Sequence, residues 1–400
     1  KVCNQEKMII KRLKLKDFRN YENLDIEFEK GLNIITGSNG VGKTNVVEAI
    51  YYLSFARSFR TLDHNDLIKS NKDFAIIDAM IEEDFKTKQV HMIINKDGQK
   101  IICNKKEISK LSEMASITNV IVFEPRDVLI FQNSPKVRRS YLNIQLSKMS
   151  SVYLNACSNC AKLTKERNAI LKMLQPNMTH LEIVTNQLID QSYVVSQKRK
   201  EYLKLLEPLV NKTLKAISFT ERQVSFQYEP FVKFESKEEF ISNAQKAFKE
   251  ALENDLKKKT TTIGVHHEDF STSLNSVNIA MFGSQGEKRM AAIALKIAPY
   301  FLIEEREKRP IVVLDDVMSE LDEKHCDKLL KFLEKFNQVF ITTTEIDSKY
   351  DATMYDVANK NIARRYTHGR WRQENWRIRK SPRRVHRKKH SSIRRTWSCT

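Results

Sequence analysis

The sequence predicts an α/β fold whose sheet-bearing half is split along the chain around an inserted, mainly helical lobe. Three observations predict it. Gly37-Ser38-Asn39-Gly40-Val41-Gly42-Lys43-Thr44 spells the G-x-x-x-x-G-K-[ST] phosphate loop between an apolar run and a helical pattern. A second apolar run, Ile311-Val312-Val313-Leu314, ends in Asp315-Asp316 near the far end of the chain. Between the two, from Ser134 onward, apolar residues recur at spacings of three and four, the period of a helix with one buried face.

Residues 9–21 alternate in polarity as a strand entering a turn, 24–28 repeat the alternation, and 31–36 form a short buried strand. The phosphate loop follows, and 45–53 carry apolar residues on one side of a helix. Glycines 37, 40 and 42 give the backbone freedom that a Cβ would remove, and the helix start points NH groups and a positive dipole end at phosphate. Lys43 is placed to reach the β and γ phosphates of ATP, and Thr44 to offer its hydroxyl to magnesium. Segments 89–95 and 99–104 form a hairpin through Asp97-Gly98, and 119–123 adds a strand. Segments 151–174 and 179–217, broken at Gln175-Pro176-Asn177, read as an antiparallel helix pair, and 237–259 continues helical. Residues 311–314 read as a central parallel strand covered on both faces, and 338–342 as another.

With 400 residues and 41% apolar composition, the chain has enough material for two or three domains. No stretch approaches the length of a membrane span, and the first residues lack the apolar block of a secretory signal, so a cytoplasmic protein with no membrane partner is expected. The six cysteines include one close pair, Cys157 and Cys160, with no second pair to complete a zinc site; reduced thiols are expected. The net charge of +19 is uneven. Residues 361–400 hold eleven Arg, three Lys and one acid, Glu374, which is +13 of the total and leaves the first 360 residues at +6. That segment also holds all three tryptophans and favours Arg where the body favours Lys. It reads either as a basic arm that folds on nucleic acid or as a non-native or disordered extension, and with residues 1–7 it is assigned here to the second class.

Asp315 is placed to hold magnesium through its water shell, and Asp316 to act as general base on the attacking water. Phe282-Gly283-Ser284-Gln285-Gly286-Glu287-Lys288-Arg289 precedes a helix expected from Met290 to about Ile303. Ser284 and Glu287 fit a capping box that simply starts this helix. A capped, glycine-containing helix start is also an anion site, the signature sequence of an ABC-type ATPase, with Ser319-Glu320-Leu321-Asp322 in the place of a D-loop.

On these motifs, together with Lys16-Asp17-Phe18-Arg19-Asn20-Tyr21 and Ser134-Pro135-Lys136-Val137-Arg138-Arg139, residues 8–355 resemble the RecF family, in the SMC and Rad50 branch of ABC ATPases. The resemblance implies an SMC/Rad50 head-like ATPase lobe at 8–112 and 288–355, and a helical second lobe with a short arm at 113–287. It implies that Arg19 reaches nucleotide phosphate, and that Ser284, Gln285, Gly286 and Glu287 complete the ATP site of a second copy, with Ser319 and Asp322 in the D-loop. It further implies an ATP-dependent homodimer on double-stranded and gapped DNA, associated with the nucleoid, that works with RecO and RecR mediators to place RecA in replication and repair. The sequence does not locate DNA-contacting residues. Gly264-Val265-His266-His267-Glu268-Asp269 departs from the family's G-P-H-R-D-D, Glu124-Pro125-Arg126-Asp127 from its P-E-D, and Glu287 from its glutamine. His266 and His267 are expected to pack rather than bind metal. Thr342-Thr343-Thr344 stands where most ABC proteins carry a switch histidine, so hydrolysis is expected to be slow.

The alternative class is the energy subunit of a membrane transporter. Lys43 and Ser284 lie 241 positions apart, more than the compact helical lobe of a transporter ATPase needs. An SMC-like structural protein would need hundreds of coiled-coil residues, and an OLD-type nuclease an extra acidic domain after the ATPase.

Overall fold

In the computed structural model the described residues are 8–83, 86–108, 117–303, 309–344, 350–358 and 361–365. Residues 1–7 and 366–400, including the three tryptophans, lie outside them. The chain opens with β1 (Ile9–Phe18), β2 (Tyr21–Glu27) and β3 (Gly31–Thr36), then α1 (Lys43–Phe55). Next come β4 (Phe74–Glu83), β5 (Lys86–Asn95), β6 (Gly98–Cys103), β7 (Lys106–Glu107) and β8 (Val120–Phe123). The helical stretch is α2 (Pro135–Met149), α3 (Ser151–Leu171) and α4 (Met178–Ile217). It continues through β9 (Val224–Glu229), α5 (Lys237–Lys258), β10 (Asp269–Leu274), β11 (Val277–Asn278), α6 (Ile279–Phe282) and α7 (Gln285–Ile297). The last elements are β12 (Ile311–Asp315), α8 (Glu323–Leu333), β13 (Gln338–Thr343), β14 (Thr353–Ala358) and β15 (Asn361–Arg365).

Among the described residues the strands form an antiparallel sheet ordered β2-β1-β4-β5-β6-β7, a small β11-β10-β9 sheet, and a sheet ordered β15-β14-β3-β13-β12-β8. In the last, β14, β3, β13, β12 and β8 run parallel, so their C-terminal ends share one edge. Alternation along these strands covers both faces. Leu32, Ile34, Phe123, Leu314 and Ile341 pack with α4, α7 and α8 on one side. Ile35, Val122, Val313 and Phe340 pack on the other against α1 and the antiparallel sheet. Gln338, fully buried, ties the two sheets together: its side chain accepts from the Ile10 NH (2.8 Å) and donates to the Ile10 carbonyl (2.9 Å).

Two sequence-based borders move. Residues 120–123, assigned with the helical lobe, form β8 and pair with β12, because a wholly apolar Val-Ile-Val-Phe run satisfies its backbone only inside the sheet. The ordered body also runs past 355 and 360, through β14 and β15. Arg364 pairs with Glu29 (2.8 Å) and Arg365 with Asp356 (2.8 Å), so 361–365 belong to the fold rather than to an extension.

The arm is an antiparallel pair of unequal helices, with α3 of 21 residues and α4 of 40, about 30 and 60 Å long. At the base of the arm, Glu268 is buried and accepts from Arg199 (2.7 Å), Ser196 (2.6 Å) and Tyr228 (2.5 Å). Asp269 takes both arms of the Arg138 guanidinium at 2.8 and 2.7 Å. Thus α2 and α4 grip the strand that leads to α7. The expected helix of 290–303 starts earlier, at Gln285, and is α-helical only to Ile297; with Pro299 in the next turn, it tightens to a 3₁₀ turn over Ala298–Leu302.

Candidate nucleotide site

The phosphate loop leaves the C-terminal end of β3 and enters α1 at Gly42, whose φ of +116° lies in the region glycine favours. A Cβ there would lie 2.7 Å from Asn20 Nδ2 and 2.9 Å from the Tyr21 hydroxyl. Both side chains grip the loop, Asn20 donating to the Val41 carbonyl (3.1 Å) and Tyr21 to that of Gly42 (3.2 Å). A Cβ at Gly37 would strike the Val357 carbonyl on β14 at 2.6 Å. No side chain caps the start of α1, so its first NH groups are left to an exogenous acceptor.

Lys43 is buried and its ammonium donates to the carbonyls of Gly37 (2.7 Å) and Ser38 (2.9 Å), lying across the loop. Burial lowers its pKa, while Asp316 and Asp315 pull it back up. Asp315, the last residue of β12, is buried; its Oδ1 accepts from Thr342 on β13 (2.6 Å) and from Thr44 on α1 (3.0 Å). Burial raises its pKa and those two hydroxyls oppose the rise. Lys43, Thr44 and Asp315, far apart in sequence, therefore meet at the C-terminal edge of the parallel sheet. Carboxylate and hydroxyl are the hard oxygen donors that magnesium takes.

Asp316 adopts φ +52°, unusual outside glycine but tolerated by aspartate. Its NH is held by the Thr342 hydroxyl (2.9 Å) and carbonyl (3.2 Å), and Ser319 Oγ lies 3.1 Å from both its backbone carbonyl and Oδ1. This backbone turn takes the second acid out of the strand. Asp322 caps α8, accepting from the His325 NH (3.0 Å) and ring (2.6 Å).

Arg19 is expected by resemblance to meet phosphate; the structure places it on Glu48 of α1, at 2.9 and 2.6 Å, and on the Asp66 carbonyl at 2.6 Å. Glu48 is fully buried and also takes Arg60 (3.3 Å) and Ser58 (2.5 Å), and Arg60 donates to Asn45 (3.0 Å). Sequence reading missed Glu48, Arg60 and the role of Thr342. The signal was faint: a glutamate within an amphipathic helix, and an arginine in the loop after it.

Ser284, Gln285 and Gly286 are exposed at the start of α7. The capping box forms, with Ser284 Oγ accepting from the Glu287 NH (3.2 Å) and Glu287 from the Ser284 NH (2.9 Å), and Glu287 also pairs with Arg222 (3.1 Å). Arg289 pairs with Glu320 (2.6 Å), joining α7 to the segment after the two acids. Among the described residues no hydrogen bond or ion pair joins 284–287 to the phosphate loop. The rings of His266 and His267 are in contact, tilted by 50° with centroids 4.3 Å apart, and the first lies 3.3 Å from the Thr261 carbonyl.

Residues 9–365 match the family model of the RecF/RecN/SMC N terminal domain. The DNA replication and repair protein RecF of Geobacillus thermodenitrificans is 36% identical over 89% of this chain and 99% of its own length. That of Halalkalibacterium halodurans is 34% identical over 90% and 100%. Among solved structures, the recombination mediator protein RecF with ATP, described in the RecFOR pathway, superimposes with a TM-score of 0.84 at 27% identity, covering 92% of this chain and all of that one. An Smc head domain from Pyrococcus furiosus shares the fold alone, with a TM-score of 0.52 at 16% identity. No described helix is long and apolar enough to cross a membrane.

Proposed function

We propose, for a chain that belongs to the RecF family within the RecF/RecN/SMC N-terminal domain group, that ATP gates its pairing with a second copy on DNA. The pair binds duplex DNA beside single-stranded gaps, hydrolyses ATP slowly, and assists mediators of the RecO and RecR kind in loading recombinase during replication and repair. The observation that carries this reading is a divided site. Lys43, Thr44 and Asp315 converge on the phosphate loop, while the capped start of α7 faces outward, unattached to the loop of its own chain. Relatives named for DNA replication and repair, and a solved relative holding ATP, support the same assignment.

The NH groups of the loop and of the start of α1 bind phosphate oxygens, and the Lys43 ammonium turns from the Gly37 and Ser38 carbonyls to the β and γ phosphates. Thr44 and Asp315 would hold magnesium, which neutralises charge that develops on the phosphates. Asp316 takes the proton of the attacking water, its backbone held by Thr342. The second copy's 284–287 segment closes the site over the γ phosphate.

Asp316→Asn is expected to bind ATP normally, to lower turnover by about 100-fold or more, as loss of a general base does, and to accumulate dimers. Steady-state phosphate release and sedimentation check this. Equal turnover in the two proteins would remove Asp316 from the chemistry.

A further inference from the structure

At the other end of α1, about 20 Å from the phosphate loop, a cleft of about 950 Å³ opens between the helix terminus and the helices α2 and α3. Among the described residues its lining contains no carboxylate but several cations. Two of these are engaged: Arg199 with Glu268, and Lys148 with the Val120 carbonyl (2.9 Å). Arg57 and Lys136 are exposed and form no ion pair among the described residues, and Arg139 donates only to a backbone carbonyl, that of Glu268, at 2.8 Å. Lys136 and Arg139 are three residues apart on α2 and so share a face, while Arg57 is contributed by the segment that follows α1. Unpaired cations collected from two elements with no acid between them raise the local positive potential.

We infer that this cleft holds the phosphodiester backbone of duplex DNA, with Arg57, Lys136 and Arg139 on successive phosphates; the inference rests on the DNA reading above. The volume is too large for a single phosphate ion and suits an extended polyanion. Hydroxyls of Ser140, Ser147 and Thr164 on the same walls are neutral donors of the kind that contact backbone oxygens. Base recognition is not provided for. Phe55, the one six-membered aromatic ring among the described lining residues, has the Lys148 ammonium 4.3 Å from its centroid, so among these residues no open stacking platform serves an unpaired base. The cleft therefore reads charge rather than sequence. Because α1 begins at the phosphate loop and ends here, one rigid element spans the nucleotide site and the DNA track.

The test is binding of a fluorescein-labelled duplex of 30 base pairs, with ATP, over a salt series. It compares the wild type with Arg57→Ala/Lys136→Ala and Lys136→Glu; both residues are exposed and form no ion pair among the described residues, so folding should survive. The double variant should bind more weakly, with the slope of log affinity against log salt shallower by about two, one per lost phosphate contact, and ATP-driven sedimentation should not change. If the wild type binds and both variants match its affinity and slope, the cleft does not carry DNA, and an acidic peptide becomes the better occupant. Failure of the wild type itself to bind duplex at low salt would instead overturn the DNA reading, and this inference with it.

Discussion

Lys148 on α2, half-buried with its ammonium desolvated, shows what one such charge does to the fold. Its ammonium lies over the Phe55 ring and donates to the Val120 carbonyl, and burial of that charged end, helped by Lys296, brings its pKa down to about 7. In the unfolded chain the same group titrates near 10.5. Between these values the unfolded state keeps a proton that the folded state has released, so stability rises with pH from about 7 toward 10.5 and is flat in this term below 7. Urea midpoints at pH 7, 8 and 9 should climb more steeply in the wild type than in Lys148→Met; parallel slopes would contradict the assignment. At this scale the site was legible where a motif fixes geometry. Lys43 and Thr44 follow from the phosphate loop, and Asp315 from an apolar strand ending in an acid. Glu48 was not legible, because its burial between Arg19 and Arg60 depends on a turn and a loop that converge only in three dimensions.

The start of α7 carries two meanings that sequence alone leaves superimposed. The capping box between Ser284 and Glu287 forms and suffices to begin the helix. Gly286 has no such local reason: a Cβ there would meet nothing within 4 Å, and its φ is not in the left-handed region. Alanine at 286 should therefore stabilise the monomer by about 0.5 kcal/mol through the unfolded state. If a second copy packs against this helix start, the same methyl should weaken ATP-driven pairing. Opposite movement of the urea midpoint and the dimer dissociation constant is expected; unchanged pairing would leave only the capping role. Helices were the most legible elements, since α2 to α5 repeat their apolar positions over many turns. β8 was placed with the wrong lobe because a four-residue apolar run does not announce its neighbours. Glu268, which departs from the family pattern, and Asp269, which matches it, are the residues that α4 and α2 hold, so a carboxylate is kept at both positions, paired with Arg199 and Arg138.

Across the whole molecule, the split in sequence is repaired by the parallel sheet, in which β3 from the first piece lies between β14 and β13 from the last. That closure extends to β15. A chain ending at Lys360 loses the β14–β15 ladder and both arginine pairs, next to Asp356, which also accepts from Thr36 (2.6 Å) at the entry to the phosphate loop. Its urea midpoint should fall below that of the full chain, whereas a chain ending at Arg365 should match it; equal midpoints for the two truncations would show that the edge strand adds no stability. The change of residue usage near 360 hid this, since composition marks a border only approximately. Nucleotide-driven joining of two copies across a shared site, as proposed above, is tested most directly by sedimentation velocity with ATP, with ADP, and with ATP plus gapped duplex. The expected result is a dimer with ATP, a monomer with ADP, and a dimer bound to DNA in the third sample; a monomer saturated with ATP in the first and third would contradict it.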